Sequence, residues 1–300
     1  MPATKNEEIR ISVRELVKKF DQQTVLTGVN LDIRAGETIV IMGGSGCGKS
    51  TLLRLLIGSH VPTSGSISIL GQDIASLDAD GFDLIKKQFG ILFQSGALFQ
   101  SMSVGANVAL PLQEHTDLAP EVIDMIVKIK LELVGLRQHA AKLPSQISGG
   151  MMKRAGLARA MAMDPKILFY DEPSAGLDPV TSAEIDQLIL KLTRDFGVTS
   201  VVVTHEMDSA FTIADRMVML DGGRVLKIGT REEFDRIRKL PESAASSLSE
   251  DEQIVYQFLR GAADGPITRR RSADDYRDDL LGVDAQGNDV THSGSARPAR

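Results

Sequence analysis

Apolar positions follow two rhythms along this chain. Ile9, Ile11 and Val13 alternate with polar residues, as do Val29, Leu31 and Ile33. A period of two puts one set of side chains on a buried face and predicts two half-buried strands. Residues 38–42 form a short apolar run ending in glycines, and residues 51–57 are leucine-rich at helical spacing. The order there is strand, Gly-rich loop, helix. Residues 83–162 are mostly helical in pattern, most plainly 121–134, and 167–170 are a short apolar run. Ile185, Leu188, Ile189 and Leu192 stripe one face of a helix, and Val201, Val202 and Val203 predict another buried strand. Asp221-Gly222 between the apolar runs 217–220 and 225–228 predicts a tight hairpin. Thr230 and Glu233 have capping-box spacing for a closing helix. Buried strands alternating with helices make the fold class α/β, with 83–162 as a helical insertion.

Beyond about Leu240 the pattern changes. Residues 243–249 are small and polar, 254–259 are a brief apolar island, and 268–300 are too polar to bury a core, so a disordered tail is expected there. The chain of 300 residues is 42% hydrophobic and 25% charged, ordinary for a folded protein. Acidic residues outnumber basic ones by 40 to 34, so the basic surplus of a phosphate-gripping nucleic-acid binder is missing and no nucleic-acid partner is expected. The single cysteine, Cys47, excludes an intramolecular disulfide and suits a reducing compartment. Residues 1–8 lack the apolar core of a signal peptide, and no apolar run approaches the ~18 residues of a membrane span. The expected location is cytoplasmic, with any membrane role carried by a partner chain.

Gly43-Gly44-Ser45-Gly46-Cys47-Gly48-Lys49-Ser50-Thr51 matches G-x-x-x-x-G-K-[ST]. Glycines let backbone N–H groups converge on phosphate oxygens, and the following helix aims its positive end at the same place. Lys49 would reach the β- and γ-phosphates and Ser50 would bind Mg²⁺. A chance match in such a chain has odds of roughly one in a hundred, and the flanking strand and helix lower them. Cys47 fills a variable position and needs no redox role. The run 167–170 ends in Asp171-Glu172. Alone this reads as a strand closing in an acidic turn. Beside a phosphate loop it reads as Asp171 for Mg²⁺ and Glu172 for polarising the attacking water.

Ile147-Ser148-Gly149-Gly150-Met151 stands about twenty residues before that acidic strand. It resembles the signature of ABC ATPases, usually Leu-Ser-Gly-Gly-Gln. In isolation it is a helix cap; within the resemblance Ser148, Gly149 and Gly150 face the γ-phosphate of ATP held by a second copy of the chain. Met151 departs from the usual Gln, which touches side-chain contacts and not the backbone mechanism. Further motifs are similar in the same order: Gln94 as the Q-loop residue that links Mg²⁺ and the attacking water to the membrane partner, Ser174-Ala175-Gly176-Leu177-Asp178 as the D-loop, and His205 as the switch histidine. Phe20 falls where the family stacks an aromatic on adenine. The resemblance covers residues 9–240 and implies a P-loop ABC ATPase with a mixed sheet core, an antiparallel β subdomain and an inserted helical subdomain. ATP and Mg²⁺ are the implied cofactors and Asp178 joins the implied nucleotide contacts.

Phe93-Gln94-Ser95-Gly96-Ala97-Leu98-Phe99, Asn107-Val108-Ala109, Pro111-Leu112, Glu114-His115-Thr116 and Met151 are similar to one subfamily, the ATPase of MCE-linked (Mla) phospholipid transporters. So is the island 255–259 with Asp264-Gly265-Pro266 beyond it. That likeness implies phospholipid transport between inner and outer membrane, with a permease, an MCE-domain substrate-binding protein and a STAS-domain regulator as partners. It implies a peripheral place on the cytoplasmic face of the inner membrane. It also implies that residues 241–267 reach the second ATPase copy through Tyr256, Phe258 and Leu259; a short amphipathic helix packed on its own chain explains the same island. An importer ATPase for amino acids or another polar solute shares every nucleotide motif. A guanine-reading Asn-Lys-x-Asp is absent.

Overall fold

The computed structural model describes residues 8–245 and 247–269. They form two units, one ending at Arg236 and one starting at Ile237. The first unit holds two sheets. Strands β1 (Ile9–Phe20), β2 (Gln23–Arg34), β4 (Ser64–Ile69) and β5 (Gln72–Asp73) form an antiparallel sheet in the order β2-β1-β4-β5. Strands β3 (Thr38–Gly43), β6 (Phe89–Leu92), β7 (Ile167–Asp171), β8 (Thr199–Val203), β9 (Arg216–Asp221) and β10 (Arg224–Thr230) form a second sheet in the order β10-β9-β3-β8-β7-β6. It is parallel except for the β9–β10 hairpin.

Helix α1 (Lys49–Leu56) lies in the core shared by both sheets, where its Leu52, Leu53, Leu55 and Leu56 pack with Ile11, Val13 and Ile33 of one sheet and Ile41, Phe169 and Val203 of the other. That burial is what holds so short a helix, since eight residues are too few to be stable alone. Helix α2 (Ala79–Lys86) precedes β6. Helices α3 (Val104–His115), α4 (Pro120–Leu133) and α5 (Gly149–Ala160) pack together between β6 and β7. Helices α6 (Pro179–Phe196) and α7 (Met207–Ile213) flank β8, and α8 (Arg231–Arg238) follows β10.

The predicted hairpin forms with Gly222 and Gly223 both at positive φ. The predicted capping box also forms: Thr230 N donates to Glu233 Oε2 at 2.7 Å, and Glu233 N donates to Thr230 Oγ1 at 3.3 Å. Two features differ from the pattern. Strand β1 runs to Phe20 although the alternation stops at Val13, because a bulge at Glu15, with φ 45°, shifts the register and returns Leu16 to the core. Strand β6 interrupts the stretch predicted as helical. Its Gly90 lies so close to α5 that an added Cβ would sit 2.0 Å from the Ala160 carbonyl, and four residues are too few to show a period.

In the second unit, α9 (Glu242–Ala245) is followed by α10 (Glu250–Arg260) and α11 (Pro266–Arg269). The apolar island is an amphipathic helix. Ile254, Val255, Tyr256 and Leu259 are buried, and the Tyr256 hydroxyl donates to the Leu240 carbonyl at 3.2 Å. Of the three residues offered as contacts to a second copy, Tyr256 and Leu259 are therefore buried within this chain and Phe258 is half-buried. Buried Gln257 ties the end of the unit: its amide oxygen accepts from Ile267 N at 2.7 Å and its Nε2 donates to Thr268 Oγ1 at 3.2 Å. Thr268, placed in the predicted tail, belongs to α11, and residues 270–300 of that tail lie outside the described residues.

Candidate active site

In the parallel part of the sheet, Ile41 of β3 pairs with Val203 of β8, which pairs with Asp171 of β7, and Leu92 of β6 pairs with Tyr170. The C-terminal ends of these four strands thus share one edge. Ligands of open α/β sheets bind at such an edge. The phosphate loop leaves β3, His205 follows β8, Asp171 and Glu172 end β7, and Gln94 follows β6. Neighbouring strands lie about 4.8 Å apart, so groups scattered over more than a hundred and fifty residues of sequence gather within roughly 15 Å.

The phosphate loop is tight at its ends and open in its middle. A Cβ on Gly43 would sit 2.2 Å from the Leu220 carbonyl, and one on Gly48 would sit 2.7 Å from Leu26 Cδ2. Nothing lies within 4 Å of the Cβ positions of Gly44 and Gly46. Helix α1 begins at Gly48 with no side-chain cap, so its first N–H groups face outward with the positive end of the helix. Lys49 is buried, and its ammonium donates to the Gly43 carbonyl at 2.7 Å and the Gly44 carbonyl at 2.9 Å. Ser45 and Ser50 are exposed and Thr51 is half-buried. Cys47 is buried, which pushes its thiol pKa up against the pull of Lys49. That thiol is a poor nucleophile and fills space under the loop.

The two acids differ. Asp171 has its pKa raised, first by burial and then by the charge of Glu172, with Arg54 and Lys49 opposing. Glu172 is the first residue past the strand and adopts φ 48°, a left-handed conformation that costs a non-glycine residue about 1–2 kcal/mol. Its carboxylate is held from β8: Oε2 accepts from Thr204 Oγ1 at 3.0 Å and from His205 N at 3.3 Å, and Oε1 lies 2.8 Å from His205 Nδ1. An ionised carboxylate only accepts, so His205 Nδ1 carries the shared proton when Glu172 is charged. An acid held at three points beside a phosphate loop can orient and deprotonate a water.

The Ser148 turn sits elsewhere, beside the start of α6. Ser148 caps α5 by accepting from Met151 N at 3.3 Å. Only the backbone N–H of Met151 enters this cap. Ser148 and Gly149 are exposed, while a Cβ on Gly150 would sit 2.3 Å from Thr181 Cγ2. Asp178, expected at the nucleotide, caps α6: Oδ1 accepts from Val180 N and Thr181 N, and Oδ2 accepts from Thr181 Oγ1 at 2.6 Å. Those bonds hold its pKa down. Gln94 is exposed past β6. Phe20 ends β1 with its ring 40% exposed, edge-on to His60 at 5.3 Å and 4.7 Å from Lys18 Nζ.

Four contributors were not read from the sequence. Thr204 holds Glu172, and its place directly before His205 was the available signal. Lys153, a buried lysine on α5, donates to the Glu172 carbonyl at 3.1 Å and the Ala175 carbonyl at 2.7 Å. Burial pushes its pKa down while Glu172 and Glu206 pull it up. Its signal was a lysine spaced by three from Gly150 and Gly156 on a helix face otherwise made of small residues. Arg159 donates to the Ala97 carbonyl at 2.7 Å and the Gly96 carbonyl at 3.2 Å, tying the loop after Gln94 to α5. Buried Asn107 accepts from Phe99 N at 2.7 Å and donates to the carbonyls of Phe99, Met102 and Ser103, tying the same loop to α3.

The ABC transporter family model matches residues 26–175. The chain is similar to the intermembrane phospholipid transport system ATP-binding protein MlaF of Haemophilus influenzae, 40% identical over 90% of this chain and 98% of that one. It is similar to the probable ribonucleotide transport ATP-binding protein mkl of Mycobacterium leprae, 43% identical over 89% of this chain and 73% of that one. Among solved structures, the ATP-binding cassette MJ0796, described as a dimeric post-hydrolysis state bound to ADP and Pi, superposes with a TM-score of 0.69 at 32% identity over 74% of this chain and 98% of that one. The structure of cbiO1 from Clostridium perfringens, part of the ABC transporter complex cbiONQ, gives a TM-score of 0.73 at 29% identity over 83% and 99%.

Proposed function

The chain belongs to the ABC transporter ATP-binding family and is an ATPase, and on that premise we propose that it powers phospholipid transport between inner and outer membrane. The observation that carries the hydrolytic part is the Glu172 carboxylate, held by Thr204 and His205 on the edge that also carries the phosphate loop. In this reading the backbone amides of residues 43–51 and the Lys49 ammonium hold the phosphates of ATP, Phe20 stacks on the adenine, and Glu172 takes a proton from the attacking water. His205 orients Glu172 and contacts the γ-phosphate.

Mg²⁺ neutralises phosphate charge when bound. Its holders would be the Ser50 hydroxyl, the Asp171 carboxylate and the Gln94 amide, all oxygen donors of the kind Mg²⁺ prefers. Asp171 stands beside Glu172 at the end of β7, on the strand edge that carries the phosphate loop.

Ser148, Gly149 and Gly150 act across a head-to-tail dimer, on ATP held by the second copy. The exposure of Ser148 and Gly149, and the place of the turn beside α6 rather than on the strand edge, support that arrangement. The Asp178 cap shapes the segment next to them. The dimer docks on a permease. A cavity of about 590 Å³ between β6, α2, α3 and α5, lined by Asp83, Lys86, Phe89, Pro111, His115 and Arg159, supports docking beside the Gln94 loop. No helix among the described residues is long and apolar enough to cross a membrane. In this reading the permease holds the chain at the cytoplasmic face of the inner membrane. An MCE-domain protein and a STAS-domain regulator complete the complex.

The relative named for ribonucleotide transport favours a second reading, a polar-solute transporter. The lipid reading rests on the fuller end-to-end match to the phospholipid relative, 98% of its length against 73%. Two measurements test the whole. Glu172→Gln in the full chain is expected to lower ATP turnover about 10²–10⁴-fold while ATP binding persists. The complex purified through this chain is expected to carry phospholipid, detected by mass spectrometry and released on ATP addition. A complex that carries no lipid and whose ATPase responds to a ribonucleotide or amino acid would refute the lipid assignment.

A further inference from the structure

Lys153 is an expensive residue where it stands. A lysine is almost never this buried unless its ammonium is paired, and it is 5% exposed. It also lies in the second turn of α5, near the positive end of the helix, where a cation is disfavoured. The groups it bonds are two neutral backbone carbonyls, of Glu172 and Ala175. Filling space would not need a charge, and a single carbonyl would not need several donors. An ammonium gathers two carbonyls that converge on one point.

Those carbonyls are placed where they matter. The Glu172 carbonyl belongs to the peptide that leaves the left-handed Glu172, so gripping it fixes the rotation that sets where the Glu172 side chain departs from the strand. The same carbonyl accepts from Ala175 N at 3.3 Å, closing a turn whose far carbonyl Lys153 also holds. Glu172 is thus clamped at both ends, the carboxylate by Thr204 and His205 and the backbone by α5. At the head of α5 stand Ser148 and Gly150, the latter packed on Thr181.

We infer that Lys153 is a positioning residue for hydrolysis: by holding the Glu172 and Ala175 carbonyls it aims Glu172 and joins that aim mechanically to the Ser148 turn on its own helix. A partner copy engaging Ser148 therefore acts on Glu172 through one rigid helix. The inference rests on Glu172 being the hydrolytic base.

The test uses the full chain with Lys153→Met, which keeps the stem without donors, and Lys153→Gln, which restores two neutral N–H donors. Turnover is measured against ATP concentration, with thermal melting in parallel. Lys153→Met is expected to lower kcat about 10–100-fold, the scale of an ångström-sized misplacement, with KM for ATP changed less than about twofold. Lys153→Gln is expected to recover at least about threefold of that loss. Unchanged kcat in Lys153→Met overturns the inference, as does equal loss in both variants. Melting lowered by more than about 10 °C in both also overturns it, since Lys153 is then a requirement of folding. Glu172→Gln runs beside them. Turnover surviving there removes the underlying reading, whereas turnover lost there but kept in Lys153→Met removes only the role of Lys153.

Discussion

Gly150→Ala is a small change with a large expected effect. The added Cβ lands 2.3 Å from Thr181 Cγ2, about 1.2–1.7 Å inside ordinary carbon contact. Thr181 cannot simply turn away, because its hydroxyl donates to Asp178 Oδ2 at 2.6 Å within the cap of α6. Either that bond breaks or α5 and α6 part, and such overpacking costs about 1–3 kcal/mol. Helix propensity works the other way, since alanine is up to about 1 kcal/mol better than glycine inside a helix and Gly150 has no positive φ. The net expectation is a loss of about 1–2 kcal/mol in urea denaturation of the full chain, with a fall in ATP turnover as the Ser148 turn shifts. Thr181→Ser removes Cγ2 and keeps the hydroxyl. The double variant Gly150→Ala/Thr181→Ser is therefore expected to regain the lost stability, giving a coupling energy of about 1–2 kcal/mol. A Gly150→Ala protein as stable as the parent, or one that Thr181→Ser does not rescue, would refute the reasoning.

Ser148→Arg is expected to abolish hydrolysis while ATP binding, followed by calorimetry, stays within about threefold; lost binding would place Ser148 in the wrong copy's site. Asp171 has a raised folded-state pKa, so its charge penalises the fold only above the ordinary carboxylate value of about 4, and the penalty grows as pH rises through the interval up to the folded value. Asp171→Asn is accordingly expected to raise the melting temperature at pH 7, to leave it unchanged near pH 3, and to lose hydrolysis. Asn107→Ala removes a buried amide that gathers the part-buried Phe99 N–H and the carbonyls of Phe99, Met102 and Ser103, and a loss of about 1–3 kcal/mol in chemical denaturation is expected.

Local chemistry was legible in the sequence wherever its partners lie a few residues apart. The capping box at Thr230–Glu233, the Gly222–Gly223 hairpin and the run from β3 through the phosphate loop to α1 are of that kind. Legibility failed where a distant neighbour decides the local form. The alternation that predicts β1 stops at Val13 because Glu15 bulges, and the bulge is stabilised from β2, where Asn30 Oδ1 accepts from Glu15 N at 3.0 Å. Strand β6 has no rhythm of its own and is a strand because β7 pairs with it. Two roles the sequence did not announce are the Asp178 cap on α6 and the Tyr256 bond to the Leu240 carbonyl, beside the nucleotide and second-copy contacts expected of those residues.

The same distinction separates the residues of the proposed site. Lys49, Asp171 and Glu172 sit in motifs because each works from the end of a strand whose geometry is set locally, and the parallel register then carries those ends to one edge. Thr204, Lys153 and Arg159 work on backbone or side chains 19 to 63 residues away, so no window of sequence contains both partners. Two of these three lie on α5, six residues apart, one gripping the turn after Glu172 and the other the loop after Gln94. A helix opened by Ser148, joined in its second turn to the turn after the acid and in its last turn to the Gln94 loop, ties these groups to one element. On the reading proposed above, coupling between nucleotide, second copy and membrane partner would run through this one helix and the few donors that fix it, and the Lys153 variants test that link.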